Sequence, residues 1–333
     1  MRRSLVVMST RVDQTAASDT GTAGAAPRWL RGIFIANLVA QIGIVVTGGI
    51  VRLTGSGLGC PTWPECAEGS YIPTSRQEES WHKYVEFGNR LLTFVLAALA
   101  IAAVVGAWAW WRRQRRQGRA ARGPVLALAV IPLAGTVVQA LLGGVTVLTG
   151  LNPWAVSAHF LVSMAIIAGC VVLVVRAGEP GDRPVHTLVR PEVRWLTRAL
   201  VAVTAAVVVL GVIVTGSGPH SGDAETEARF GVDPRTVSWL HADSVLLFLG
   251  LTVGLLVALR VTHAPARAVR AVVILLAVAL AQGLVGYAQY FTGLPWVLVA
   301  LHMLGASLVW ALAVYVVLTQ RARGVRESAV VPG

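Results

Sequence analysis

The sequence carries little charge. Only 13% of its 333 residues are charged, while 55% are hydrophobic, and a soluble domain usually carries about 25% charged residues. This deficit excludes a disordered chain, a fibrous repeat and an ordinary soluble enzyme. A polytopic membrane protein remains, because a helix needs roughly 20 apolar residues to cross about 30 Å of hydrocarbon. Eight such spans with short loops account for the length of the chain.

Lysine is almost absent, and acidic residues are few. Of 28 basic residues only Lys83 is a lysine, and the formal net charge is +12. The arginines are clustered between apolar runs, most densely over residues 112–122. Short basic loops are retained on the cytoplasmic side during insertion, so this charge indicates topology. No basic patch interleaved with aromatic residues accompanies it, which argues against a nucleic-acid partner.

The apolar windows predict an all-α protein with eight transmembrane helices in a lipid bilayer. They lie near residues 33–53, 82–111, 124–149, 155–175, 196–215, 237–259, 270–291 and 296–318. Both terminal segments and the connections on the same face are basic. The opposite loops carry acidic residues: Glu65, Glu68, Glu78, Glu79, Asp223, Glu225, Glu227 and Asp233. This asymmetry predicts a multi-pass plasma-membrane protein with both termini in the cytoplasm. Residues 1–27 lack the apolar core of a signal peptide and are predicted to form a disordered tail.

Cysteine is also rare. Of three cysteines, Cys170 lies within the predicted fourth span, where a lone thiol is usually a small buried hydrophobe. Cys60 and Cys66 share the first outer loop, which faces an oxidising space, so a disulfide between them is plausible. Its role, a structural staple or a redox relay, stays open. A structural zinc site needs four ligands and this loop supplies two thiols, which counts against a metal there.

The chain repeats itself at an offset of 143 residues. Without gaps the alignment matches Gln139 with Gln282, Thr149 with Thr292, Leu151 with Leu294 and His159 with His302. A second match joins residues 54–57 to 215–218, both Thr-Gly-Ser-Gly. The pattern predicts two four-helix bundles in parallel repeat, related by an axis along the membrane normal. The predicted divisions are the tail 1–27, the units 28–176 and 195–320, the cytoplasmic linker 177–194 and a second tail 321–333.

Three of the seven histidines fall within the predicted spans, at a similar depth near the outer face. These are His159, His241 and His302. An ionisable residue inside a span usually marks a functional site, and a neutral imidazole is a strong ligand for haem iron. His241 and His302 lie on helices that can face each other across a four-helix interior. The alternative is that each histidine only bonds a neighbouring helix.

The first unit differs from the second. There, the residue predicted to face His159 is Asn89, a poor iron ligand, so the iron position opposite the histidine should be open or hold water. Glu86, one turn earlier, could handle protons or stabilise charge on a substrate carbon, or simply pair with Arg90. Arg52 and Arg90 could meet haem propionates or serve as interfacial anchors. The asymmetry indicates chemistry in one unit and a redox cofactor in the other.

The loop Cys-Pro-Thr-Trp-Pro-Glu-Cys at 60–66, the string Glu-Phe-Gly-Asn-Arg at 86–90 and the repeat-matched histidines together resemble the haem A synthase family. The resemblance covers about residues 30–320. It implies oxidation of the methyl group of haem O to a formyl group, which gives haem A for cytochrome oxidase. Haem O would occupy the N-terminal half and haem B the C-terminal half.

The resemblance also implies roles for individual residues. Glu86 matches the essential acidic residue and His159 a histidine of the substrate site, while His241 and His302 match the haem B ligands. The loop disulfide would join Cys60 to Cys66. Haem O would be delivered by a haem O synthase, and the membrane electron acceptor is unidentified. The best-known branch has histidine at the position of Asn89, and some members have a second cysteine pair, which the 216–236 loop lacks.

Two other functions use the same features. A quinol-linked, di-haem membrane electron carrier would show bis-histidine ligation in both units, and Asn89 counts against it. A transporter built on the parallel repeat would leave the asymmetry of Glu86 and Asn89 unexplained.

Overall fold

The computed structural model describes residues 24–75, 77–78, 80–119, 122–220, 222–223 and 229–323. Within these residues eight long helices account for most of the chain: α1 Arg28–Leu53, α2 His82–Arg116, α3 Gly123–Leu148, α4 Pro153–Gly178, α5 Pro191–Ser217, α6 Pro234–Val261, α7 Ala266–Phe291 and α8 Trp296–Thr319. All eight are long and apolar enough to cross a membrane. The predicted all-α, eight-span fold is confirmed, and the protein is a multi-pass membrane protein. Residues 1–23 and 324–333 of the predicted tails, with Glu79, Glu225 and Glu227 of the predicted acidic loops, lie outside the described residues.

Turn residues end the helices at matching places in the two halves. After α3, Gly150 and Leu151 adopt φ of 60° and 59°, and after α7, Gly293 and Leu294 adopt 78° and 60°. Each leucine N–H reaches back to a carbonyl five residues earlier, at 2.8 Å and 2.7 Å. A non-glycine residue with positive φ is uncommon, so its occurrence in both copies of Thr-Gly-Leu favours the predicted internal repeat.

Side-chain caps and prolines mark two helix starts. Asn152 accepts a hydrogen bond from the N–H of Trp154 at α4, and Asp233 accepts from the N–H and hydroxyl of Thr236 at α6. Both helices have proline in their first turn, where no N–H donor is needed. The hydrogen bonds from Thr236 lower the pKa of the exposed Asp233 carboxyl.

The helices pack in the same order in each half. α1 contacts α2 and α4, and α3 lies between α2 and α4; α5 contacts α6 and α8, and α7 lies between α6 and α8. The halves meet where α1 and α4 pack against α8 and α4 meets α5. Val45, Met164 and Ile167 form the centre of this contact, with Met303 and Trp310 against them. The indole N–H of Trp310 donates to the carbonyl of Met164 at 2.8 Å.

At the basic ends of the helices, the predicted linker 177–194 and the start of the predicted tail 321–333 pack together. Strand β1, Val185–Thr187, pairs antiparallel with strand β2, Arg321–Arg323. Nearby, the buried Arg122 donates to the carbonyls of Gly24, Arg176 and Glu179 at 2.7–2.8 Å. Burial lowers the pKa of the Arg122 guanidinium, although Asp182 acts in the opposite direction.

Candidate functional site

The described residues of the first outer loop, 54–75, 77–78 and 80–81, lie over the ends of α2 and α3. Cys60 and Cys66 form a disulfide, as expected from their shared loop, and both are fully buried. The indole of Trp63 packs on α3 so closely that a Cβ at Gly144 would lie 2.5 Å from its Cδ2 atom. The loop therefore covers the outer ends of α2 and α3.

Glu86 fastens this loop to α2. The residue is 5% exposed, and its Oε2 accepts from the N–H of Cys60 at 2.7 Å. Its Oε1 accepts from Nε and Nη2 of Arg90 at 3.1 Å and 2.6 Å. The ion pair that the spacing of four residues allowed is therefore formed. A carboxylate held by at least these three hydrogen bonds has a fixed orientation, and it can also accept a proton if one donor is released.

Arg90 holds the loop as well as the carboxylate. Its guanidinium donates to the carbonyls of Cys60, Thr62 and Glu65 at 2.8, 3.0 and 3.0 Å. Charge-assisted hydrogen bonds are the stronger kind, so Arg90 is the principal clamp between loop and helix. The structure thus assigns Arg90 a contact role that sequence reasoning did not foresee, and the predicted role toward a propionate stays a prediction.

Arg52 makes a similar clamp between the two halves. Its Nε donates to the carbonyl of His220 at 2.8 Å and its Nη2 to that of Thr215 at 3.1 Å. Close by, the N–H of Gly57 donates to the carbonyl of Gly222 at 2.7 Å. These bonds join the end of α1 and the start of the first outer loop to the end of α5 and the loop that follows it.

Asn89 faces α1. Its Oδ1 accepts from the hydroxyl of Thr47 at 2.8 Å, and a Cβ at Gly48 would lie 3.8 Å from its Nδ2. Thr47 was not a candidate from the sequence, because a threonine within an apolar run carries no signal of its own. Its hydrogen bond fixes which way the Asn89 amide is turned.

His159 and His302 have equivalent surroundings. Gln139 donates to the carbonyl of His159 at 2.9 Å, and Gln282 donates to that of His302 at 2.6 Å. Four residues after each glutamine, a glycine lies beside the imidazole: a Cβ at Gly143 or Gly286 would lie 3.6 Å or 3.1 Å from the Cε1 of its histidine. The repeat that the sequence showed therefore includes the immediate environment of these two histidines.

His241 faces His302 across the second half. Their ring centroids lie 6.5 Å apart, with an angle of 69° between the ring planes. An imidazole nitrogen bonds a metal at about 2 Å, so two rings on opposite sides of one metal place their centroids roughly 6 Å apart. The observed separation fits a haem iron between the two imidazoles.

The orientation of the rings also fits this arrangement. The Cε1 edge of His241 lies against α5, where a Cβ at Gly211 would be 3.2 Å away. The Nδ1 atoms of His159, His241 and His302 are buried, those of His241 and His302 near the backbone of Val207 and Gln282, while all three residues remain partly exposed. With the Nδ1 edges against a helix, Nε2 is the nitrogen free to bind a ligand.

Comparison with known proteins finds a matching family profile and several similar curated proteins. A family profile described as "COX15-CtaA: Cytochrome oxidase assembly protein" matches residues 31–220. Similar curated proteins named "Heme A synthase" come from Lysinibacillus sphaericus, 30% identical over 191 residues, and Alkalihalophilus pseudofirmus, 30% over 158 residues. A third, from Geobacillus thermodenitrificans, is 32% identical over 117 residues. These matches cover 56%, 46% and 35% of this chain, and 58%, 48% and 32% of the relatives. The chain therefore spans between a third and somewhat over half of the length of these relatives.

Proposed function

The chain belongs to the COX15-CtaA family of cytochrome oxidase assembly proteins, and from this premise we propose that it is a haem A synthase. It oxidises the methyl group of haem O to a formyl group and so produces haem A for cytochrome oxidase. The observation that carries the proposal is the difference between its two sites. The site in the second half presents two facing histidines, His241 and His302. The site in the first half has one histidine, His159 on α4, together with Asn89 on α2 and Glu86 one turn before it.

The second unit, residues 195–320, would hold haem B between His241 and His302. Their separation matches two axial ligands, and Gly211 and Gly286 leave the space in which the rings sit. The side-chain amide of Gln282 on α7 donates to the backbone carbonyl of His302 on α8 and so fixes the position of His302 relative to α7. When bound, haem B supplies one-electron transfer.

The first unit, residues 28–176, would hold haem O with His159 as the iron ligand. Asn89 offers an amide instead of a second imidazole, and its hydrogen bond with Thr47 keeps that amide against α1. The position opposite His159 would then be left open or to water. In this unit the protein side chains, not a second axial histidine, control what approaches the substrate.

Glu86 is the residue that we assign to the chemistry. Oxidation of a methyl carbon releases protons, and Glu86 is the buried carboxylate at the outer end of this unit. It accepts a proton as one of its donors is released, while Arg90 stabilises the carboxylate form before and after that transfer. Closure of the 60–66 loop over α2 limits access of water to the carboxylate.

The proposal includes the partners of the protein and its orientation in the membrane. Haem O is supplied by a haem O synthase, and electrons leave to a membrane acceptor that is not identified. We place the protein in the plasma membrane with both termini and the linker 177–194 in the cytoplasm, because the basic residues collect at that end of the helices. The disulfide of the opposite loop is consistent with an oxidising outer space.

The Glu86→Gln variant tests this function. Glutamine keeps the size of the side chain and one acceptor oxygen, but it cannot take up a proton, so we expect haem to remain bound while haem A formation is lost. Expression with a source of haem O, extraction and mass analysis of the haems measure both. The exposed Glu68 of the same loop provides the matched control, Glu68→Gln, which should form haem A normally.

The alternatives give different results in the same experiment. Normal accumulation of haem A in Glu86→Gln would refute the catalytic assignment. Haem B alone in the wild-type protein, with no haem O or haem A after supply of haem O, would favour an electron carrier. A protein purified without haem would favour a transporter.

A further inference from the structure

A cavity of about 500 Å³ lies at the basic end of the first half, between the start of α1 and the end of α2. Its lining includes Pro27, Trp29, Trp110, Arg113, Gln117 and Arg119. None of the described residues that line it is acidic. The cavity therefore combines aromatic walls with uncompensated positive charge, far from the histidine sites at the outer end.

The arginines of this cavity differ from others on the same face. Arg122 and Arg176 are buried and bound to Asp182. The side chains of Arg113 and Arg119, in contrast, are exposed and make no hydrogen bond or ion pair with another described residue. They remain available to an external anion, and an arginine guanidinium matches phosphate oxygens in geometry.

The start of α1 adds to the positive potential. Its N-cap residue, Pro27, makes no side-chain capping bond, and its first turn contains no acidic residue. The first N–H groups of a helix are unsatisfied by the helix itself and carry partial positive charge. This helix start and the two arginines face one cavity.

Tryptophans place the cavity at the level of lipid headgroups. On α2, Trp108 and Trp111 stack under Arg112 and Arg115 at 5.2 Å and 5.0 Å, and Trp29 on α1 is 55% exposed. Exposed tryptophan beside arginine is typical of the membrane–water boundary. α2 has 35 residues, or roughly 52 Å at about 1.5 Å per residue, so its last turns project beyond about 30 Å of hydrocarbon.

We propose that this cavity binds the phosphate headgroup of one anionic phospholipid from the leaflet at the basic face. Arg113 and Arg119 pair with the phosphate, the start of α1 donates to it, and the indoles of Trp29 and Trp110 contact the glycerol and the first acyl carbons. A basic pocket between helices at this level has the character of a lipid-headgroup site. The bound lipid would hold α1 against α2 at the end opposite the outer loop.

The test compares two double variants that lose the same charge. Arg113→Gln with Arg119→Gln removes the arginines of the cavity, whereas Arg112→Gln with Arg116→Gln removes two arginines of the same helix end that do not line it. The purified full-length protein is exchanged into phosphatidylcholine micelles, titrated with phosphatidylglycerol and examined by native mass spectrometry. We expect one phosphatidylglycerol per chain in the wild type, at least tenfold weaker binding in the cavity variant and less than a twofold change in the control.

Several outcomes would overturn the proposal. An equal loss of phosphatidylglycerol binding in both double variants would indicate diffuse attraction to the basic face. If the wild-type protein retained phosphatidylcholine as strongly as phosphatidylglycerol, recognition of the anionic headgroup would be excluded. A further titration adds glycerol phosphate or inorganic phosphate in excess. Failure of these anions to displace the lipid supports a membrane ligand, whereas displacement would mean that the cavity binds a soluble phosphate instead.

Discussion

Replacing Cys60 and Cys66 by serine should loosen the loop between them without detaching it from α2. The disulfide joins residues six apart, and loop entropy for so short a closure gives about 2 kcal/mol of stabilisation. Arg90 donates to the carbonyls of Cys60, Thr62 and Glu65, and a hydrogen bond from a charged group contributes about 1.5–3 kcal/mol. Even discounted for an Arg90 side chain that is 22% exposed, three such bonds outweigh the disulfide.

Hydrogen exchange over residues 60–66 measures this difference. The N–H of Cys60 donates to Glu86 and that of Cys66 to Ser70, so exchange at both requires the loop to open. A loss of about 2 kcal/mol raises the open population roughly 30-fold. We expect exchange about 30-fold faster in the double serine variant and faster still in Arg90→Gln. The turn at 292–295, at the same outer end of the second half, should be unchanged.

Two results would contradict this ordering. Exchange in the serine variant at the wild-type rate would mean that the disulfide does not restrain the loop, and faster exchange there than in Arg90→Gln would mean that Arg90 is the weaker clamp. Because the serine variant keeps the pair of Glu86 and Arg90, we expect it to retain haem A formation. Loss of that activity with only the expected loosening would instead indicate a redox role for the cysteines.

The remaining predictions concern the histidine sites. Gly286→Ala should disturb haem binding at His302 and lower the haem B content in a pyridine haemochrome spectrum, because the added Cβ would lie 3.1 Å from the Cε1 atom of His302. The matched Gly143→Ala, whose Cβ would lie 3.6 Å from the Cε1 atom of His159, should be tolerated. Equal loss of haem in both variants would contradict the steric reasoning. Asn89→His should supply a second imidazole and convert the substrate haem from high spin to low spin by electron paramagnetic resonance. An unchanged high-spin signal would mean that residue 89 does not face the iron.

Hydropathy located all eight helices because apolar length is what a membrane span requires. It was less accurate at their ends, where polar residues continue a helix beyond the hydrocarbon. α5 was predicted to begin at residue 196 and begins at Pro191, since proline starts the helix in a basic stretch with no apolar signal. α2 likewise continues to Arg116, because a run of polar and basic residues extends the helix beyond the apolar stretch.

The contacts that assemble the site could not be read from the sequence in the same way. The pairing of β1 with β2 joins two three-residue strands from opposite ends of the second half, and neither has a distinctive pattern. Arg52 and Arg90 were identified as polar residues near the outer face, but their partners, apart from the Glu86 carboxylate for Arg90, are backbone carbonyls, which every residue possesses. Residue type predicted which side chains matter, and only the fold defines what they bind.

The difference between Asn89 and His241 extends to the helices that face them. His241 lies against Gly211, whose missing side chain leaves 3.2 Å between a built Cβ and the imidazole. Asn89 meets a hydroxyl instead, because Thr47 donates to its Oδ1. An amide is shorter than an imidazole, and the neighbouring threonine hydroxyl satisfies its acceptor oxygen. The first half therefore holds residue 89 through a hydrogen bond from α1, whereas the second half leaves space for His241 beside a glycine.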